Sequence, residues 1–325
     1  MEHSQVKTPS WLKSLFNNKG ITDIFLNGSN KVYFDNGNGL SPYLLSTNEQ
    51  EYWTELKLKS WVLNKISEAG KSWDAKYPFV DTTLNCGFRL HASIQCSINH
   101  KTFVSLRKIK FNENESSQEQ KIFNQWKLSP FYSLLKKEIQ NGSSMIISGA
   151  TGSGKTTLAN ALLSEISPNE RVIALEDTPE LLPNHPHFLR LVTRPPNSDN
   201  FGEITLSHLL KQTLRMRPDR IILGECRGSE VLELLQMINT GHHGALSTIH
   251  ANSPRDALRR IELLCLLTKN GAISSRVIKE LISSGLKWVV QVKKTSTYSS
   301  KREIIQVNEI FKLEQDTILL KPVLN

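Results

Sequence analysis

The stretch MIISGATGSGKTTLANALLSEI (residues 145–166) joins an apolar strand, a glycine-rich loop and a helix in that order. Its centre, GATGSGKT (149–156), matches the phosphate-loop pattern G-x-x-x-x-G-K-[ST] in full. The glycines let the loop wrap so that backbone N–H groups face a phosphate, and the helix start adds the positive end of its dipole. The stretch therefore predicts nucleotide binding within an α/β domain.

The loop also supplies a cation and a hydroxyl group. Lys155 is placed to neutralise the β and γ phosphates, and Thr156 is placed to ligate Mg²⁺ through its hydroxyl. We expect ATP and Mg²⁺ as the cofactors. The predicted nucleotide-binding residues are Gly149, Thr151, Gly152, Ser153, Gly154, Lys155, Thr156 and Thr157.

Strands and helices alternate around this loop. Helical stretches at about 155–166, 205–215, 229–240 and 253–268 separate four short, continuously apolar runs. Such runs are typical of strands that are buried on both faces of a parallel sheet. The four runs are SMIISGA (144–150), RVIALED (171–177), RIILGE (220–225) and ALSTIHA (245–251).

The first hundred residues predict a smaller α+β domain. ITDIFLNG (21–28) and KVYFDNGNG (31–39) are expected to pair as a hairpin, and FRLHASIQ (88–95) and FVSLRKI (103–109) to form two more strands. Thr47 is expected to cap one helix that runs to about Gly70. A polar segment follows, which gives three parts: an N-terminal domain at 1–110, a linker at 111–125 and an ATPase domain at 126–325.

Composition narrows the class of protein. The chain has 325 residues and a formal net charge of +9, which favours anionic partners such as nucleotide, nucleic acid or a lipid surface. No apolar run approaches the roughly 18 residues of a membrane span, and the N-terminus lacks the apolar core of a secretory signal. We therefore expect a cytoplasmic protein.

Two of the predicted strands end in acidic residues. Hydrolysis of a nucleotide needs a metal holder, a group that orients or deprotonates water, and cations for the developing charge. Glu225 follows an apolar run at the position of a Walker B acid, and Glu176 and Asp177 end another run. These three acids are predicted to function in catalysis or metal binding. The role of Glu180 is left open, because it can be either a functional acid or an ordinary surface acid.

A histidine and two arginines complete the set of candidates. His250 ends an apolar run where ligands bind in open α/β sheets, so its imidazole can contact a phosphate oxygen or the attacking water. A metal site that combines it with His242 and His243 is an alternative without a clean ligand spacing. Arg89 and Arg107 lie on predicted strands of the first domain. They are either candidates for phosphate binding or members of the solvent-exposed face of these strands.

Four of these segments together resemble a known family. GATGSGKTT, VIALEDTPEL, LRMRPDRIILGECRG and NTGHHGALSTIHANSPRDALRRIE look like the phosphate loop, Asp box, Walker B motif and His box of the secretion-system and type IV pilus ATPases. The likeness extends from about residue 20 through most of the chain. Within the family, TRPPN and the His-box run are most similar to the CpaF/TadA-like branch of tight-adherence pilus assembly, and the conjugation and type IV secretion branch is the neighbouring possibility.

The resemblance implies a C-terminal RecA-like P-loop domain with a smaller α+β N-terminal domain, in a ring that is typically a homohexamer. It further implies an ATP-hydrolysing motor in the cytoplasm, peripherally associated with an inner-membrane platform protein of a pilus or secretion system. Its site residues carry over as catalytic Glu225, Glu176, His250, Arg107 and Arg89, with Thr156 and Asp177 at the metal.

Two other functions compete with the motor hypothesis. A nucleic-acid translocase or helicase-like ATPase is kept open by the net charge of +9. It would need a basic groove with aromatic stacking positions, whereas the basic residues here are dispersed. A structural subunit that binds nucleotide without hydrolysing it is opposed by the presence of Lys155, Glu225 and His250.

Overall fold

The computed structural model describes residues 6–36, 39–71, 73, 78–94, 101–108, 123–196, 201–268, 273–295 and 302–323. The chain divides into two compact units. Unit 1 consists of Met1–Glu113 and Pro196–Gly202, and unit 2 of Asn114–Pro195 and Glu203–Asn325. The predicted linker lies outside the described residues apart from 123–125, which are helical.

Unit 1 is built on a six-stranded antiparallel sheet with the order β3-β2-β1-β6-β5-β4. The predicted hairpin is confirmed, since Ile24 of β1 lies opposite Phe34 of β2. Two strands at the edges of the sheet were not predicted, β3 and β4. The strands are β1 Asp23–Asn27, β2 Val32–Asp35, β3 Leu40–Tyr43, β4 Phe79–Thr83, β5 Phe88–Ile94 and β6 Thr102–Lys108.

The predicted single helix from Thr47 to Gly70 is wrong, because the chain forms two helices there, α2 (Thr47–Tyr52) and α3 (Glu55–Glu68). Ser46, rather than Thr47, caps α2 in a capping box with Glu49. Trp53 turns into the core at the break, and Thr54 accepts the N–H of Lys57 to start α3. The remaining helix of this unit in the described residues is α1 (Ser10–Asn17).

Unit 2 is built on an eight-stranded sheet with the order β14-β13-β12-β7-β11-β10-β8-β9. The four predicted strands are confirmed as the parallel neighbours β7, β11, β10 and β8, and every one of their residues is buried. Burial on both faces explains their continuously apolar sequences. The strands are β7 Met145–Ser148, β8 Val172–Glu176, β9 Phe188–Val192, β10 Arg220–Leu223, β11 Leu246–Ile249, β12 Trp288–Lys294, β13 Arg302–Glu314 and β14 Thr317–Pro322.

Helices of unit 2 pack against this sheet in two apolar clusters. Ser253 caps the helix Pro254–Leu266 by accepting the N–H of Asp256, and Pro254 occupies its first position. Besides the helical residues 123–127, the helices are α4 Tyr132–Gln140, α5 Lys155–Leu163, α6 Leu206–Thr213, α7 Glu230–Asn239, α8 Pro254–Leu266 and α9 Ser275–Gly285. Among the described residues, none of the helices has both the length and the apolar character that a membrane crossing requires.

The C-terminal edge of the sheet was not predicted. β13 runs for 13 residues and pairs antiparallel with both β12 and β14. Gln315 and Asp316 connect β13 to β14 with φ values of 43° and 63°. Two successive positive φ angles are typical of the tight turns that join antiparallel strands.

Candidate nucleotide-binding site

The phosphate loop lies between β7 and α5. Gly152 and Gly154 have φ values of 72° and 93°, a region that residues with a Cβ rarely adopt. Gly149 is required for space, since a Cβ there would lie 2.5 Å from the carbonyl oxygen of Val292. The glycine spacing of the motif is therefore a consequence of the backbone that this loop adopts.

Lys155 points back into the loop. Its Nζ donates hydrogen bonds to the carbonyl oxygens of Gly149 and Ala150, both at 3.0 Å. Burial lowers the pKa of Lys155, while the nearby carboxylates of Glu225 and Glu180 act in the opposite direction. The ammonium group is thus held where phosphate oxygens approach in a phosphate loop.

His250 connects Lys155 to Glu225. Its Nδ1 lies 3.4 Å from Lys155 Nζ, and its Nε2 lies 3.2 Å from Glu225 Oε1. Burial, followed by the charge of Lys155, lowers the pKa of His250 and so favours the neutral imidazole. Because an ammonium group only donates, Nδ1 is the acceptor in the contact with Lys155, which leaves the imidazole proton on Nε2, facing Glu225 Oε1.

Arg227 holds the other oxygen of Glu225. The Nη2 of Arg227 lies 2.7 Å from Glu225 Oε2, and its Nη1 lies 4.0 Å from Asp177 Oδ2. The hydrogen bond that Arg227 donates to Glu225 is the main cause that raises the pKa of Arg227. Thr193 also donates to Asp177, at 3.1 Å. Lys155, His250, Glu225, Arg227 and Asp177 therefore form one continuous polar row along the carboxyl ends of the strands.

Thr156 contacts Glu180. The Thr156 hydroxyl donates to Glu180 Oε2 at 3.2 Å. A hydroxyl beside a carboxylate is the kind of oxygen donor set that Mg²⁺ prefers, so the residues present fit the predicted magnesium ion. In the part of the chain that the structure describes, no group of three or more His, Cys, Asp or Glu side chains could hold a metal ion, so the histidine metal alternative gains no support.

Glu176 occupies a different place from the other predicted acids. Its Oε1 accepts the backbone N–H groups of Glu180 and Leu181 at 2.8 and 2.9 Å, and its Oε2 accepts from Arg190 Nε at 3.0 Å. The side chain is 3% exposed, and this burial raises its pKa. The carboxylate thus anchors the segment that carries Glu180, and its catalytic role stays a prediction.

The environment of Glu176 gives a stability prediction. We expect Glu176→Ala to lower the free energy of unfolding by about 3 kcal/mol, because Arg190 and two backbone N–H groups would lose their acceptor. Urea denaturation measures this change. The control is Asp177→Ala at the next, exposed position, with an expected cost below about 1 kcal/mol. Unchanged stability of Glu176→Ala would contradict the anchoring role.

Arg89 and Arg107 belong to unit 1, where they lie directly opposite each other on β5 and β6. Both are on the more exposed face of that sheet, because the alternating residues Phe88, Leu90 and Leu106 are buried. Arg89 pairs with an aspartate at 3.4 Å and Arg107 with another at 2.9 Å. Their approach to a nucleotide stays a prediction.

Comparison with known proteins decides the family. The family model described as "Type II/IV secretion system protein" matches residues 12–317 of the chain. The chain belongs to this family. The family predicted from the sequence is thereby confirmed, whereas membership of the CpaF/TadA-like branch stays a prediction.

Relatives within the family come from several bacteria. The chain is 35% identical over 260 residues to a putative conjugal transfer protein of Mycobacterium tuberculosis, covering 78% of this chain and 72% of that protein. It is 36% identical over 165 residues to the type IV secretion system protein VirB11 of Bartonella quintana, covering 50% of this chain and 46% of the relative.

A solved structure supports the fold. The X-ray structure of the Legionella pneumophila ATPase DotB has a TM-score of 0.64 and 16% identity to this member of the family, with 94% of this chain and 82% of that chain covered. The predicted fold class is confirmed: a RecA-like P-loop domain with a smaller α+β N-terminal domain.

Two residues of the site were not assigned to it from the sequence. Arg227 was not predicted, although an arginine two positions after the acid that follows β10 is a visible signal. Glu180 was left undecided, and its contact with Thr156 depends on how the segment after β8 returns toward the loop. Neither contact follows from hydrophobic periodicity, which places strands and not side-chain directions.

Proposed function

We propose that this chain is the ATPase motor of a protein-secretion or pilus-assembly system, converting ATP and water into ADP and phosphate. The observation that carries this proposal is the row Lys155, His250 and Glu225 beside the phosphate loop, in which His250 lies 3.4 Å from Lys155 Nζ and 3.2 Å from Glu225 Oε1. It combines a cation for the phosphates with an acid next to the place where water attacks. These are the groups that phosphoryl transfer to water requires.

The loop and Lys155 bind the triphosphate. The backbone N–H groups of Gly154, Lys155, Thr156 and Thr157 lie at the start of α5 and serve as anion donors, as at other helix N-termini. A bound Mg²⁺ would neutralise negative charge on the phosphates. The Thr156 hydroxyl, with the carboxylates of Asp177 or Glu180, would hold it.

Glu225 orients and deprotonates the attacking water. Its Oε2 accepts from Arg227 at 2.7 Å and its Oε1 faces His250 at 3.2 Å, and each oxygen keeps a second lone pair that can accept a proton from water. His250 carries its proton on Nε2 and can donate it in a hydrogen bond to a γ-phosphate oxygen once the ring has turned away from Glu225. Thr151 lies 3.5 Å from His250 Nδ1 through its hydroxyl and helps to orient the ring.

The N-terminal domain adds Arg89 and Arg107 as cations for the charge that develops on the phosphates. Hydrolysis then moves the N-terminal domain against the C-terminal domain, and this movement makes the protein a motor. The working assembly is a homohexameric ring on the cytoplasmic side of the inner membrane, docked on a platform protein. The CpaF/TadA-like tight-adherence branch is the specific system that we propose.

Removal of Arg107 tests the role of the N-terminal domain. We expect Arg107→Ala to lower kcat at least about tenfold, since cations supplied to phosphoryl transfer contribute large rate factors. The measurement is steady-state phosphate release, with circular dichroism to show that the variant folds. Lys31→Ala, another exposed cation of unit 1, is the control. An unchanged kcat in Arg107→Ala would show that this arginine does not act on the phosphates.

Capture of partners tests the motor function itself. The Glu225→Gln protein, loaded with ATP and magnesium, is used to recover proteins from solubilised membranes, with Lys155→Ala as the control that lacks nucleotide. We expect polytopic platform proteins of a pilus or secretion system, identified by mass spectrometry. Recovery of nucleic-acid-processing proteins in their place would favour the translocase alternative.

A further inference from the structure

An arginine outside all four motifs contacts the phosphate loop. Arg302, the first residue of β13, donates from Nε to the carbonyl oxygen of Gly152 at 3.2 Å. Its side chain also covers Gly154, because a Cβ there would lie 2.6 Å from Arg302 Cδ and 2.9 Å from Trp126 Cζ2. Glycine is therefore required at position 154 both by the positive φ angle and by the side chains packed against it.

Arg302 is held in place by its backbone. It pairs with Lys294 at the end of β12, and its N–H donates to Gln125 Oε1 at 3.4 Å. Burial lowers the pKa of Arg302, yet an arginine remains protonated in a protein at neutral pH. The contact thus brings a permanent positive charge to the loop from a strand at the far end of the sequence.

The contact has a geometric effect on the amide that follows Gly152. In a trans peptide the C=O and the next N–H point in opposite directions. A guanidinium bound to the Gly152 carbonyl therefore turns the Ser153 N–H away from Arg302. That N–H donates to the Ala150 carbonyl at 3.3 Å, across the inside of the loop.

We infer that Arg302 is a positioning residue of the phosphate loop, which orients the Gly152–Ser153 peptide for a bound triphosphate. This inference rests on the proposed ATPase function. The guanidinium acts through the loop backbone and adds a positive charge beside it. Its removal should weaken nucleotide binding more than it slows the chemical step, because Glu225 and His250 keep their own contacts.

The test compares Arg302→Ala and Arg302→Lys with Lys312→Ala. Lys312 is a cation of the same strand whose partner is Glu314, so its removal leaves the loop unchanged. We measure Kd for a fluorescent ATP analogue, kcat and KM, the melting temperature, and hydrogen exchange of the peptide containing Ser153 without nucleotide. The exchange readout does not depend on turnover.

For Arg302→Ala we expect Kd and KM to rise about tenfold, or ~1.4 kcal/mol, with kcat within about threefold of wild type. Exchange at the loop should be faster, and Arg302→Lys should recover part of the affinity. Unchanged Kd and unchanged exchange in Arg302→Ala would overturn the inference. The inference would also be overturned if Arg302→Ala and Arg302→Lys lost the same affinity for nucleotide and showed the same fall in melting temperature. A wild-type protein that binds no nucleotide would defeat the proposed function itself.

Discussion

Replacement of Lys155 by alanine is expected to abolish detectable ATP turnover and to weaken nucleotide binding at least about 100-fold, since charged hydrogen bonds contribute roughly 1.5–3 kcal/mol each. The loss has two causes. The variant removes the cation for the phosphates, and it releases the Gly149 and Ala150 carbonyls that Nζ holds at 3.0 Å. Calorimetric titration with ATP and magnesium measures the affinity.

Lys136→Ala is the matched control for this experiment. Lys136 is a half-exposed lysine of unit 2 that pairs with Glu165 at 2.7 Å, on the surface rather than in the loop. We expect its affinity for ATP to equal that of wild type. If Lys155→Ala bound ATP as tightly as Lys136→Ala, the assignment of the loop as the nucleotide site would be wrong.

Glu225→Gln should separate binding from hydrolysis. Glutamine has the shape of glutamate but cannot accept a proton from water, so we expect kcat to fall about 1,000-fold while ATP binds within about threefold of wild type. Single-turnover phosphate release and nucleotide titration on the same preparation measure the two effects. The bound, unhydrolysed state is also what makes this variant useful for capturing partners.

Glu233→Gln provides the comparison for Glu225→Gln. Glu233 lies on α7 and pairs with Lys211 at 3.1 Å, away from the phosphate loop, so its kcat should remain that of wild type. Near-normal turnover of Glu225→Gln would remove Glu225 from the chemical step. A simultaneous loss of ATP binding would point instead to a role in holding Lys155 and His250.

Much of the site could be predicted because its parts sit at the ends of buried parallel strands. Glu225 and His250 follow β10 and β11, and the carboxyl ends of neighbouring parallel strands meet at one edge of the sheet. The apolar runs locate these strands reliably. Positions next to a strand end are then known to within a residue or two.

Side-chain direction was not accessible in the same way. Glu176 and Asp177 are adjacent, yet Glu176 is buried against Arg190, whereas Asp177 faces Arg227 and Thr193. Successive residues of a strand point to opposite faces, and the last strand residue decides which acid turns inward. Periodicity alone gives no preference between these two acids.

Parts of the fold escaped prediction for local reasons. β9 carries Arg190 within an otherwise apolar run and is only partly buried, so its sequence resembles a surface segment. β13 and β14 alternate irregularly, because their pairing shifts register between Ile310 and Lys312. A bulge of this kind breaks the two-residue repeat on which strand prediction depends.

The length of β13 has a mechanical consequence. An extended chain of 13 residues spans about 40 Å, and it cannot lengthen without breaking its hydrogen bonds to both neighbours. Its first residue, Arg302, touches the phosphate loop, and its last, Glu314, begins the turn at the opposite end. We therefore expect a displacement at the loop to be transmitted along β13, and we expect the strand to bend at its two register shifts, near Ile304 against β12 and near Ile310 against β14.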